Sequence, residues 1–202
     1  MTYEGQKIGN PGPLGLSGFA LTTFVLSLYN VNAGGVTHPN VVVGLALFYG
    51  GLVQLLAGMW EFRTGNTFGA TAFSSYGGFW LSYAVILIPS FGVIDSFALD
   101  TASHLDNALG IYLLGWTIFT FLLFLATFRS NGGLVALFFC LTVTFFFLTI
   151  SKFAQNASME KIGGVFGIIT AFIAWYVALS GLLTPDTAYF TLPLYNLGRK
   201  EK

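Results

Sequence analysis

The chain has 202 residues, 55% of them hydrophobic and only 8% charged, with a formal net charge of zero. A soluble domain carries about 25% charged residues; with a mean hydropathy of +0.76, this balance excludes an ordinary water-soluble fold and points to a bilayer protein. No run of like charges offers a nucleic-acid footprint, and one cysteine, Cys140 in LFFCLTV, excludes an internal disulfide and reads as a buried apolar thiol.

The first dozen residues are polar and hold Glu4 and Lys7. They show no signal-peptide pattern, so the first apolar segment is expected to stay in the mature protein. About 20 predominantly apolar residues cross a bilayer core as a helix. The chain can be cut into six such runs, 13–31, 41–61, 68–88, 108–128, 132–151 and 162–184. Short loops are all that remain, which predicts an all-α integral membrane protein with one domain over 1–202.

The first run opens Asn10-Pro11-Gly12-Pro13, a sharp helix start, because Asn caps and Pro in a first turn loses no hydrogen bond. Read functionally, the same helix end would draw anions to a pore mouth. Phe19, Thr23, Leu26 and Asn30 form one stripe along this helix. In the second run Gly44, Gly51 and Gly58 recur every seven residues, a seam for close helix packing. Gln54, Gly58 and Glu61 share another face. An amide at mid-membrane depth must find a partner, in a neighbouring helix or in a solute. Glu61, near the helix end, reads as solvated or paired with Arg63.

The stretch from Glu61 to Trp80 turns at Gly65-Asn66 and enters a run rich in small and hydroxyl residues. Thr67, Thr71, Ser74/Ser75, Gly78 and Ser82 fall on one helical face, which asks for a close neighbour or a wet cavity. The fourth run carries Thr117 and Thr120 among aromatics, and the fifth aligns Leu137, Leu141, Thr144 and Leu148. The sixth opens Gly163-Gly164-Val165-Phe166-Gly167, a pattern suited to helix association.

With the N-terminus inside, Lys7, Arg63, Arg129, Arg199, Lys200 and Lys202 fall on one side of the membrane and only Lys152 and Lys161 on the other. The positive-inside rule then places both termini in the cytoplasm. Asn156-Ala157-Ser158 is a glycosylation sequon in a short outer loop and is expected to go unused. His38 and His104 fall in outer loops without metal-ligand spacing. Catalytic and nucleotide-binding motifs are absent, as is a Ser–His or paired-Asp arrangement in any run, so neither enzyme nor cofactor is indicated. No Lys or Arg lies at mid-membrane depth. A pore compensated only by hydroxyls, Gln54 and backbone suits a small neutral solute or a weak acid protonated along part of its path.

NPGPLGL at 10–16, FYGGLVQLLAG at 48–58 and GNTFGATAFSSYGGFW at 65–80 closely resemble the acetate uptake transporter family, over essentially the whole chain. That family comprises bacterial succinate–acetate permeases, fungal acetate transporters and proposed ammonia exporters. Gly12 stands where the family signature usually has Ala, and fungal-type members carry a longer cytosolic N-terminal extension. The resemblance implies six transmembrane helices per protomer, a pore within each protomer and a homo-hexameric ring in the plasma membrane. The transported partners would be acetate and other short carboxylates such as succinate or lactate, with protons. It also implies a hydrophobic constriction built from Phe19, Tyr76 and Leu141, with Thr23 one turn beyond Phe19 on the same path. The substrate-binding set is then Phe19, Thr23, Gln54, Tyr76 and Leu141. Periodicity alone did not select Tyr76, which lies about one residue off the hydroxyl face. Two other readings stand beside carboxylate transport: an ammonia exporter or neutral-solute channel, and an acetate sensor, which would need a soluble tail or loop.

Overall fold

The computed structural model describes residues 8–36 and 38–198; Lys7, Arg199, Lys200 and Lys202, which entered the charge count, lie outside them. Long apolar helices make up the described residues. They are α1 (Gly12–Asn30), α2 (Val42–Leu47), α3 (Gln54–Thr64), α4 (Thr67–Leu87), α5 (Ala102–Ala126), α6 (Gly132–Phe153) and α7 (Ala157–Leu182). A π-helical segment, Phe48–Val53, joins α2 to α3 in one continuous helical rod. Five stretches are long and apolar enough to cross a membrane: Gly12–Asn30, Pro39–Thr64, Ser103–Ala126, Gly132–Phe153 and Ala157–Leu182. Helix α4 is equally long at 21 residues but less apolar, because its Thr, Ser and Gly positions dilute the run. Among the described residues, the only β pairing is an isolated bridge between Asn131 and Asn196.

Helix starts follow side-chain capping. Asn66 Oδ1 accepts from the Gly69 N–H at 3.0 Å, and Asn131 Oδ1 from the Leu134 N–H at 2.9 Å. Asn156 Oδ1 accepts from the Ser158 and Met159 N–H groups, so the sequon asparagine serves as a helix cap. Two helices extend beyond their apolar runs, α7 from its Asn156 cap and α5 without a side-chain cap. Helix α7 begins at Ala157, and α5 begins at Ala102 and takes in polar Ser103, His104 and Asp106. His104, expected in a loop, is therefore helical and lies 3.6 Å from Asp100.

Helix α7 packs along α1 and α6, α5 along α6, and α3 along α4. Small residues set these approaches. A Cβ on Gly58 would collide with Ser74, including its backbone nitrogen at 2.6 Å, and one on Gly77 would meet the Gly51 carbonyl at 3.0 Å. A Cβ on Gly167 would collide with Ser27 of α1. The heptad seam of the second run holds only in part: Gly51 and Gly58 are closely packed, whereas Gly44 faces open space. The π segment intervenes between Gly44 and the others, and its extra residue per turn rotates the positions before it off the seam.

The hydroxyl face of α4 also resolves toward a neighbour. Ser74 packs on Gly58 of α3, while the opposite face of α4, with Tyr76, Phe79 and Trp80, turns into the core. There α4 stands away from α5 and α6, and large aromatics fill the gap: Phe79 meets Trp116 at 5.1 Å and Phe145 at 5.3 Å between ring centroids. Cys140 is half-buried rather than enclosed.

Candidate functional site

Two cavities lie end to end along one set of helix faces. The first, of about 280 Å³, opens toward the starts of α1, α4 and α6 and is lined by residues that include Phe19, Gln54, Glu61, Tyr76 and Leu141. The second, of about 370 Å³, opens on the opposite face of the bundle, where Pro39, Ile94, Lys152 and Glu160 reach it. The α1 stripe runs the length of both: Phe19 lines the first, Leu26 and Asn30 the second, and Thr23 lies between. Helix α4 does the same with Tyr76 and then Phe79 and Tyr83, and α6 with Leu141 and then Phe145 and Leu148.

The bulky layer at the inner end of the first cavity consists of Phe19, Tyr76 and Leu141, exposed by only 4%, 2% and 2%. The Phe19 and Tyr76 rings pack at 5.7 Å, and Tyr76 is flanked further by Phe119 at 5.9 Å and Trp116 at 6.1 Å. Tyr76 Oη and Thr120 Oγ1 share a hydrogen bond of 2.9 Å across to α5. That bond occupies the hydroxyl and fixes the ring, so Tyr76 offers the cavity chiefly an aromatic face.

Polar contact comes instead from Gln54. Its side chain is buried and lines the first cavity, and neither Oε1 nor Nε2 has a hydrogen-bond partner among the described residues. Thr23 Oγ1 is likewise buried and unpaired. A buried amide with no partner costs a few kcal/mol, so its position at a cavity wall marks a place where a solute or water can complete it. The local fold explains how Gln54 gets there. It follows the π segment directly, and Gly18 of α1 lies against Tyr49 and Gln54 so closely that a Cβ would sit 2.7 Å from the Tyr49 carbonyl oxygen. The structure thus gathers Phe19, Gln54, Tyr76 and Leu141 around one cavity and sets Thr23 just beyond it.

Glu61 belongs to this site too, and its sequence reading as a solvated or Arg63-paired acid does not hold. It is 3% exposed and lines the first cavity. Its Oε2 accepts from Asn66 Nδ2 at 2.8 Å and from Thr64 Oγ1 at 3.2 Å, and among the described residues it forms no ion pair. A Cβ on Gly12 would lie 3.4 Å from its Oε1 and one on Gly69 3.0 Å from its carboxyl carbon, so the carboxyl group sits against the starts of both α1 and α4. Two helix N-termini favour a negative charge there. The anion-drawing end proposed for the Asn-Pro-Gly-Pro start is therefore already satisfied by a side chain of the protein. The signal for Glu61 was its i+7 spacing from Gln54. Its partner Asn66 read only as part of a turn, and Asn10 only as a helix cap, although both line the cavity.

The C-terminal segment completes the mouth. Gly132 N–H donates to the Leu194 carbonyl at 2.9 Å, Leu197 N–H to the Ser130 carbonyl at 3.0 Å, and Tyr176 Oη to the Pro193 carbonyl at 2.8 Å. Leu194 consequently lines the first cavity. No cluster of His, Cys, Asp and Glu suited to a metal ion occurs among the described residues.

Comparison with known proteins agrees with this architecture. The chain superimposes on a solved structure described as the bacterial acetate channel SatP with a TM-score of 0.82 at 39% identity, covering 93% of this chain and 99% of that one. It is 39% identical to the succinate-acetate/proton symporter SatP of Escherichia coli (strain K12), over 93% of this chain and 96% of the relative. It is 54% identical to ammonia transport outward protein 2 of Saccharomyces cerevisiae and 46% identical to acetate permease A of Emericella nidulans. These alignments cover 98% and 96% of this chain but only 70% and 68% of the fungal relatives. The profile of the GPR1/FUN34/yaaH family matches residues 1–199. The chain is a multi-pass membrane protein of the GPR1/FUN34/yaaH family.

Proposed function

We propose that this protein moves acetate and related short carboxylates, succinate and lactate among them, across the plasma membrane by a proton-linked route. The path runs from one cavity to the other, past the Phe19–Tyr76–Leu141 layer. In this reading each protomer crosses the membrane six times, α4 included, both termini lie in the cytoplasm as the positive-inside rule favours, and protomers assemble as a hexameric ring with one pore each.

The observation that carries this reading is the unpaired, buried Gln54 amide on the wall of the first cavity. Its N–H donates to a carboxylate oxygen and its carbonyl accepts from a protonated acid, so one side chain serves both forms. Among the described residues, the lining of that cavity holds no Lys or Arg and one carboxylate, Glu61. An anion is therefore poorly compensated there. A carboxylic acid with a pKa near 4.3, the value for Glu, gains neutral population as pH falls, which supports the coupling to protons. Names of relatives agree with the substrate class: an acetate permease, and a succinate-acetate/proton symporter.

Ammonia export is the second reading. Glu61, among the described residues the only charged side chain on that cavity wall, suits an approaching ammonium ion, and a 54% identical relative is named for outward ammonia transport.

Radiolabelled acetate uptake into proteoliposomes, with inside and outside pH set independently, separates these readings. The expected result is uptake that rises with an inward proton gradient. In Gln54→Leu it falls by about ten-fold, the equivalent of one lost buried hydrogen bond. Uptake that follows membrane potential alone would indicate an anion channel. Methylammonium flux without acetate flux would favour the ammonia reading.

A further inference from the structure

The two cavities differ in charge. Among the described residues, Lys152 is the only Lys or Arg lining either of them, and it lines the second, beside Glu160. Its Nζ lies 3.7 Å from Glu160 Oε1, well beyond the 2.7–2.9 Å typical of a charge-assisted hydrogen bond. Both side chains are part-exposed, at 27% and 36%. An ion pair this long and this wet is weak.

Each partner also has a second source of support. Lys152 stands in the last turn of α6 and Glu160 in the first turn of α7, the two helix ends that favour those charges. Glu160 therefore keeps a favourable field when Lys152 turns to another carboxylate. The other charged groups nearby are engaged elsewhere or point to no cavity. Asp106 accepts from Gln155 Nε2 at 2.9 Å, and Asp100, 3.6 Å from the His104 imidazole, does not line the cavity. Lys161 does not line the cavity. Below the pair the walls are aromatic and hydroxylic, with Tyr29, Tyr83 and Tyr112. Tyr112 Oη is tied to Ser82 Oγ at 2.7 Å.

From this geometry we propose that the second cavity is a capture site for ionised monocarboxylates, in which the incoming carboxylate displaces Glu160 from Lys152. The proposal rests on the carboxylate reading given above and assigns the anion-binding step to the cavity opposite Gln54. Glu160 remains in the cavity after displacement, so it repels a second negative charge. It thereby selects monoanions over dianions.

The test is the concentration dependence of acetate uptake by the full chain in proteoliposomes, at about pH 7, where the acid is ionised, and about pH 4.5, where much of it is neutral. Lys152→Gln is expected to raise KM about five-fold near neutral pH, the scale of one part-exposed charge interaction, with little change in the maximal rate. At the acid pH the change should be under about two-fold, and Lys152→Arg should restore the neutral-pH KM. Glu160→Gln should act in the opposite sense, lowering KM for acetate and strengthening competition by succinate. The inference is overturned if Lys152→Gln leaves KM unchanged near neutral pH, or raises it equally at both pH values. It also fails if Glu160→Gln weakens acetate binding, which would make the pair a structural brace. Wild-type protein that carries no acetate at all would overturn the transport reading itself, a result distinct from any of these.

Discussion

Leu141 shows how a single side chain can set solute size here. It is 2% exposed and closes the layer with the two rings of Phe19 and Tyr76. Truncation to Ala removes bulk from the wall of the first cavity. Hydrophobic pockets discriminate about 1–3 kcal/mol per methylene, so Leu141→Ala is expected to improve competition by lactate and longer acids relative to acetate by about ten-fold. Competition assays check this, and an unchanged ranking would place the size filter elsewhere. Among the individual residues, Gln54 was legible because an amide in an apolar run has few explanations. Glu61 was misread because its closest partner, Asn66, lies across a turn whose path the spacing does not reveal. Lys152 enters the sequence reading only as an outer-side charge and Glu160 not at all, yet each stands in a helix terminus at the wall of a cavity.

At the scale of the element, glycine positions decide how closely the helices approach. Gly58 touches Ser74 of α4 and Gly167 touches Ser27 of α1, with no room for a Cβ. Gly58→Leu and Gly167→Leu are each expected to destabilise the fold by about 1–3 kcal/mol or more, as overpacking does, and to lower the yield of intact protein. Gly44→Leu is the matched control, because nothing lies within 4 Å of its Cβ position. Thermal melts and size-exclusion profiles in detergent distinguish the three. A periodic seam of Gly44, Gly51 and Gly58 was a reasonable inference from an ideal helix. The π segment Phe48–Val53 breaks that periodicity, and an apolar run carries no strong signal for a π turn.

Across the whole molecule, the C-terminal segment returns to the mouth formed by α1, α4 and α6. It is held by backbone bonds at Ser130 and Gly132 and places Leu194 on the cavity wall. Leu194→Ala keeps those backbone bonds while removing the side chain. Access to the first cavity should widen, raising initial uptake of the bulkier acids by about two-fold, with the melting temperature shifted by only a few degrees for a half-buried truncation. Equal rates for wild type and variant would mean that the segment braces the mouth without narrowing it.

The sequence by itself determined the membrane class, the apolar helical runs, the turn at Gly65-Asn66 and the presence of an amide where lipid would forbid one. Each of these depends on local composition or on neighbours within one or two helical turns. Tertiary structure alone decided which face of α4 lines the cavities, that Tyr76 spends its hydroxyl on Thr120, that Glu61 is buried between two helix starts and that Lys152 meets Glu160. Those outcomes depend on how helices far apart in the chain rotate and approach one another. Their rotation is set by the fit of particular side chains such as Ser74 on Gly58 and Ser27 on Gly167, and no pattern within a single helix records it.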